Sequence, residues 1–134
     1  MIIVTGGAGF IGSNIAQELS KTNKVVICDK LNDPVKKKNI SSIEGIKVIK
    51  IQELFLFVEK NKKKISAVIH MGAISATDET NLELLLSNNY LYSLKLFNIC
   101  NKYNIKFIYA SSAATYGNSF DYYDDENSLD NFLN

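Results

Sequence analysis

The chain has 134 residues, 46% of them hydrophobic, with a single proline; that is enough apolar material for one globular domain and too much for a disordered segment. Its net charge of +1 draws all its cations from lysine, and without arginine's bidentate fork the chain is poorly equipped as a broad nucleic-acid surface. No apolar run approaches the ~18 residues of a membrane span and no signal-peptide pattern precedes the first apolar stretch, so no membrane partner is expected and the expected compartment is the cytoplasm.

Ile2, Ile3 and Val4 form a short β-branched run that feeds a glycine cluster, and an amphipathic segment follows at once. This reads as strand, tight turn, helix. Gly7, Gly9 and Gly12 have the spacing G-x-G-x-x-G, in which the first glycine turns the chain, the second admits a pyrophosphate and the third lets helix and strand lie close. Gly6 opens a second reading, G-x-x-G-x-x-G. The start of a helix offers unpaired N–H groups and a partial positive charge to an anion. Ile11, Ile15 and Leu19 predict the buried stripe of a helix over residues 10–21.

A second strand is expected at residues 25–28. Asp29 closes it, seventeen residues after Gly12, near the place where an acid accepts hydrogen bonds from ribose hydroxyls. The turn signal of residues 30–34 leads into Lys36, Lys37 and Lys38. Lys30 and Lys36 lie where a ribose 2′-phosphate would project, which favours NADP; the plainer alternative is a solvated lysine loop.

Further along, residues 47–51 read as a third strand, 53–60 as a helix and 66–70 as a fourth, fully buried strand. Lys62, Lys63 and Lys64 precede that strand on the opposite edge and read as a solvated turn. His70, the one histidine, ends it and is expected to be a packed, hydrogen-bonded residue rather than a catalyst. Met71, Gly72, Ala73, Ile74 and Ser75 form a small-residue turn suited to approaching a cofactor. Residues 81–103 predict one long helix, with Leu82, Leu85, Leu86, Leu96, Phe97 and Cys100 on its apolar faces and Asn88 and Asn89 interrupting them. Residues 106–110 predict a fifth strand that delivers Ser111 and Ser112 to the ligand edge. Cys28 and Cys100 have no metal or redox spacing, and no metal site is expected.

The alternation predicts an α/β fold, a doubly wound parallel sheet of the Rossmann type with about five strands and helices on both faces, with ligands beyond the carboxyl ends of the strands. On the glycine turn, Asn88-Asn89-Tyr90 and the stretch from Tyr109 through Ser111 and Ser112 to Tyr116 and Gly117, the chain resembles the extended short-chain dehydrogenase/reductase family of nucleotide-sugar epimerases and dehydratases, in particular its branch acting on ADP-heptose. The resemblance implies NADP contacts at Phe10, Ile11, Asp29, Lys30, Lys36, Met71, Gly72, Ala73, Ile74, Ser75 and Asn88. It implies a catalytic role for Ser112, and a homo-oligomeric complete enzyme. It also implies a tyrosine and lysine spaced Tyr-x-x-x-Lys as the acid–base pair, and no tyrosine here has a lysine four positions later. The expectation is therefore an incomplete NADP-binding domain over residues 1–134, ending before a sixth strand and without its substrate domain. Two alternatives remain open: a UDP-hexose 4-epimerase or dTDP-glucose 4,6-dehydratase, and a non-catalytic dinucleotide-binding module.

Overall fold

A computed structural model describes residues 1–76 and 78–112. Five strands, β1 (Ile2–Thr5), β2 (Val25–Cys28), β3 (Lys47–Ile49), β4 (Ala67–His70) and β5 (Lys106–Tyr109), form one sheet in the order β3-β2-β1-β4-β5, with every pairing parallel. The chain winds outward from β1 first one way and then the other. Thr5 pairs with Cys28 on one side and with His70 on the other, so three strand ends share a level at the carboxyl edge. That reversal beside the first strand opens a crevice, the usual ligand position in such sheets.

Crossover helices cover both faces, which is why the central strands are apolar on both sides. Val4, Val25 and Ile27 pack with Ala16 of α1 (Phe10–Ser20) and Ile40 of α2 (Pro34–Ile40). Ile3, Val26 and Val68 point the other way, against Leu54 and Val58 of α3 (Leu54–Asn61) and Leu96 and Cys100 of α5 (Tyr92–Lys102). The alternation of a strand's side chains sorts neighbours such as Ile3 and Val4 into separate cores.

Three expectations need correction. The buried side of α1 is Gly12, Ser13 and Ala16, while Ile11 is 58% exposed and Ile15 and Leu19 are half-buried. Small residues let the helix lie close on the sheet, which swings Ile11 toward the crevice. The lysine run is not a loop: Asp33 accepts from the Val35 N–H, Pro34 occupies the first turn, and Lys36, Lys37 and Lys38 lie on α2. The long helix is in three parts, α4 (Leu82–Leu85), a π-helical segment (Leu86–Leu91) and α5, and Leu82, Leu86 and Phe97 are exposed rather than buried. Periodicity at 3.6 residues cannot follow an inserted π turn, which shifts every later side chain around the axis.

The smaller differences are local. A 3-10 turn (Ile51–Glu53) takes the end of the expected third strand, and β4 is buried at Val68 and His70 but only half-buried at Ala67 and Ile69. Lys62, Lys63 and Lys64 are exposed, as expected of a turn.

Candidate dinucleotide and substrate cleft

The crevice at the carboxyl edge is a cleft of about 1060 Å³. Its floor is the glycine turn. Gly6 adopts φ +62°, and a Cβ there would come within 2.8 Å of the Gly72 backbone, so Gly6 makes the turn that spacing assigned to Gly7. Gly7 is packed instead against the Val4 carbonyl and Ile27. Gly12 is barred from a side chain because a methyl would fall on the Gly6 carbonyl oxygen. Gly9 caps α1 in extended conformation and has no side chain to bond the first-turn amides, which leaves those of Phe10 and Ile11 at the cleft floor. Together these form a cradle for an anionic group.

Asp29 stands at one side, 5% exposed. Its Oδ2 accepts the Ala8 N–H at 2.9 Å, and its Oδ1 accepts the Lys30 N–H at 2.7 Å and the Lys36 ammonium at 2.6 Å. The carboxylate is thereby fixed in rotamer, with Lys30 and Lys36 beside it in the cleft lining. Lys36 reaches it because capping at Asp33 starts α2 in time to aim the third helical residue back at the strand end.

The opposite wall is the loop after β4. Met71, Gly72, Ala73, Ile74 and Ser75 all line the cleft, as does Asn88 from the π segment. Asn89 does the structural work: its side chain accepts the Ile74 N–H at 2.8 Å and donates to the Ile74 carbonyl at 2.9 Å. Asn88 donates to the same Asn89 oxygen at 3.2 Å. Past β5, Ser111 and Ser112 reach the cleft edge, where Tyr109 also stands.

Of the residues expected at the site, Gly6, Gly9, Phe10, Ile11, Gly12, Asp29, Lys30, Lys36, the 71–75 loop, Asn88 and Ser112 border one cavity, and Gly7 of the glycine motif does not. Thr5, Asn89, Tyr92 and Ser93 line it too and were not singled out as site residues. Paired amides in an otherwise apolar helical segment were the available signal for Asn89. Nothing in the sequence pointed to Tyr92 or Ser93, since the π turn decides which side chains face the loop. Among the described residues there is no cluster of three metal-binding side chains and no helix long and apolar enough to cross a membrane. Tyr116, Gly117 and the rest of the family-like stretch after Ser112 lie outside the described residues.

Of the two buried thiols, Cys28 lines the cleft and Cys100 lies in the core on α5. Burial, with the Asp29 charge next in size, raises the pKa of Cys28 to about 12, and burial raises that of Cys100 to about 11. Burial likewise lifts the Tyr92 hydroxyl above its ordinary value, whereas it lowers the pKa of His70.

Residues 2–132 match the model of the NAD dependent epimerase/dehydratase family. The chain belongs to that family. It is 48% identical over 121 residues to ADP-L-glycero-D-manno-heptose-6-epimerase of Fusobacterium nucleatum subsp. nucleatum, covering 87% of this chain and 36% of that one. The Brachyspira hyodysenteriae enzyme of the same name is 40% identical over 123 residues, covering 88% and 39%. Among solved structures, UDP-N-acetylglucosamine 4-epimerase from Methanobrevibacter ruminantium M1 superposes with TM-score 0.81 at 36% identity, over 98% of this chain and 43% of that one. UDP-glucuronic acid 4-epimerase from Bacillus cereus, in complex with NAD, gives 0.75 at 31% identity, over 88% and 42%. The 134 residues thus span well under half the length of these relatives.

Proposed function

We propose that this chain is the dinucleotide-binding part of a nucleotide-sugar epimerase that acts on ADP-heptose and uses NADP. The observation that carries the reading is the convergence of the glycine turn, the Asp29–Lys36 pair and Ser112 on one cleft. The higher identity to the heptose epimerases than to the UDP-sugar enzymes supports the substrate over a UDP-hexose. Lys36 and Lys30 beside Asp29 support a 2′-phosphate over a bare ribose, and family members with bound NAD make the unphosphorylated cofactor the competing outcome.

The residues present fit a dinucleotide, since the floor has bare amides where a pyrophosphate would rest and a fixed carboxylate where a ribose would lie. Phe10 and Ile11 hold the phosphates through their N–H groups. Asp29 and Lys36 select the ribose, and the 71–75 loop and Asn88 close the other side. A bound nicotinamide dinucleotide supplies reversible hydride transfer. The Ser112 hydroxyl donates a hydrogen bond to a sugar oxygen as negative charge develops there. No tyrosine in these 134 residues carries the family's lysine four positions on, so the acid–base pair is assigned to polypeptide beyond them. The whole enzyme is read as a cytoplasmic homo-oligomer, a reading supported by the unpaired cysteines and by Leu91, Leu94 and Phe97 exposed along one helical region.

The test begins with calorimetric titration of NADP and NAD. Binding of neither overturns the dinucleotide reading, and a preference for NAD overturns the 2′-phosphate assignment. Interconversion of ADP-heptose epimers is then assayed by chromatography. These residues alone are expected to give none, because a general acid–base group typically contributes about 10²–10⁴-fold. Turnover that vanishes in Ser112→Ala would mean that an acid–base residue lies within this sequence, Tyr116 being the first to examine.

A further inference from the structure

His70 is 3% exposed, and both of its ring nitrogens are engaged. Nε2 lies 2.8 Å from the Ser93 hydroxyl, which in turn lies 2.6 Å from the Asn89 carbonyl. A hydroxyl has one hydrogen, and a carbonyl can only accept, so the Ser93 hydrogen goes to Asn89 and Ser93 must accept from the histidine. The imidazole proton is therefore on Nε2. On the other side Nδ1 lies 2.5 Å from Thr5 Oγ1, which accepts the Gly72 N–H at 3.1 Å. With Nδ1 unprotonated, the Thr5 hydroxyl donates to it and every group in the line is satisfied. A charged ring would turn Nδ1 into a donor and strand the Thr5 hydrogen in a site where Thr5 is 3% exposed. The rings nearest to His70 are those of Tyr92, Phe107 and Tyr109, with centroids at 6.2, 5.9 and 6.5 Å, and they bring no carboxylate to hold a charge. Burial, which lowers its pKa, acts in the same direction.

The line runs from the Gly72 amide through Thr5, His70 and Ser93 to Asn89, whose side chain grips Ile74 by both its N–H and its carbonyl. It leaves the post-β4 loop at Gly72 and returns to it at Ile74. We propose that His70, neutral and protonated at Nε2, is a positioning residue that locks the loop of residues 72–74 to the π-helical segment and so sets the wall of the cleft. Its effect on dinucleotide affinity rests on the reading of the preceding section; its tautomer and its hold on the loop do not.

The chain's single histidine makes the test direct, because selective ¹⁵N labelling reports one ring without assignment. The expected spectrum at neutral pH shows a protonated Nε2 and an unprotonated Nδ1. A ring protonated on Nδ1, or on both nitrogens, overturns the proposal. The second measurement is amide hydrogen exchange in Ser93→Ala, which touches neither loop residue. Exchange at Gly72 and Ile74 is expected to quicken by about tenfold, the size of one lost buried hydrogen bond, with the rest of β4 protected as before. Unchanged exchange at both amides overturns the proposal. Should Ser93→Ala fail to fold, the wild-type tautomer decides. Neither readout needs cofactor, so failure to bind NADP or NAD would count against the proposed function and leave this inference standing.

Discussion

Lys36 and Asp29 are joined by an ion pair of 2.6 Å in which the carboxylate side chain is 4% exposed and the lysine 33%. The pair ties the end of β2 to α2, and it puts a cation beside the acid proposed to bind the ribose without adding net charge to the cleft. Replacing the lysine should therefore affect a phosphorylated ribose more than a bare one.

Lys36→Ala is expected to weaken NADP by about tenfold while changing NAD by much less, and the gap between the cofactors should narrow as salt rises because Lys36 is partly exposed and its field is screened. Calorimetric titrations at two ionic strengths measure both. Equal weakening of the two cofactors would mean that Lys36 serves only to hold Asp29 in place.

Gly12→Ala drives a methyl onto the Gly6 carbonyl oxygen inside a packed turn. It should cost about 1–3 kcal/mol of stability, as overpacking does, and abolish dinucleotide binding. The control is Gly45→Ala, at φ +64° with open space around it, where only the cost of left-handed backbone applies, about 1–2 kcal/mol, and binding is kept. Denaturant midpoints and titrations separate the two effects.

Stability should fall on acidification through His70. Its folded pKa lies below the ordinary 6.5, so the unfolded chain binds the proton first; the contribution is complete above 6.5 and is lost as pH falls toward the folded value. Tyr92, pushed up by burial, does not titrate in that window. His70→Gln should flatten the slope of stability against pH just below 6.5. An unchanged slope would place the titrating group elsewhere.

The thiols of Cys28 and Cys100, with pKa values raised to about 12 and about 11, should resist iodoacetamide at pH 8 and react only on unfolding. Mass spectrometry of the alkylated protein counts the modified residues. Rapid labelling of Cys28 in the native protein would show that the cleft opens down to the end of β2.

The strand-turn-helix of the first unit was legible because each of its signals is local: β-branched residues, then glycines at fixed spacing, then Asp29 at the next strand end. The parallel sheet with helices on both faces also followed, since alternating elements leave few other arrangements. What stayed hidden depended on contacts across the chain. Gly6, not Gly7, takes the left-handed turn because the Gly72 backbone crowds it from sixty-six residues away. Lys36 was expected at the ligand edge and lines the cleft there beside Asp29, while its helix was missed, because the Asp33 cap lay inside what reads as a turn. The bond from Asn89 to Ile74 needs a π turn, and no hydrophobic period announces one.

The order in which the two cores are assembled has a consequence during synthesis. The residues buried on the α1 and α2 face, from Val4 to Ile43, all precede β4 in the chain. The opposite face, which already presents Ile3, Val26 and Cys28, waits for Leu54 and Val58 and then for Leu96, Cys100 and Ile105. A growing chain of which only the first fifty or so residues have emerged therefore already holds the buried residues of one side of its sheet while the other side lacks most of its cover, and that uncovered side is where a chaperone would engage it.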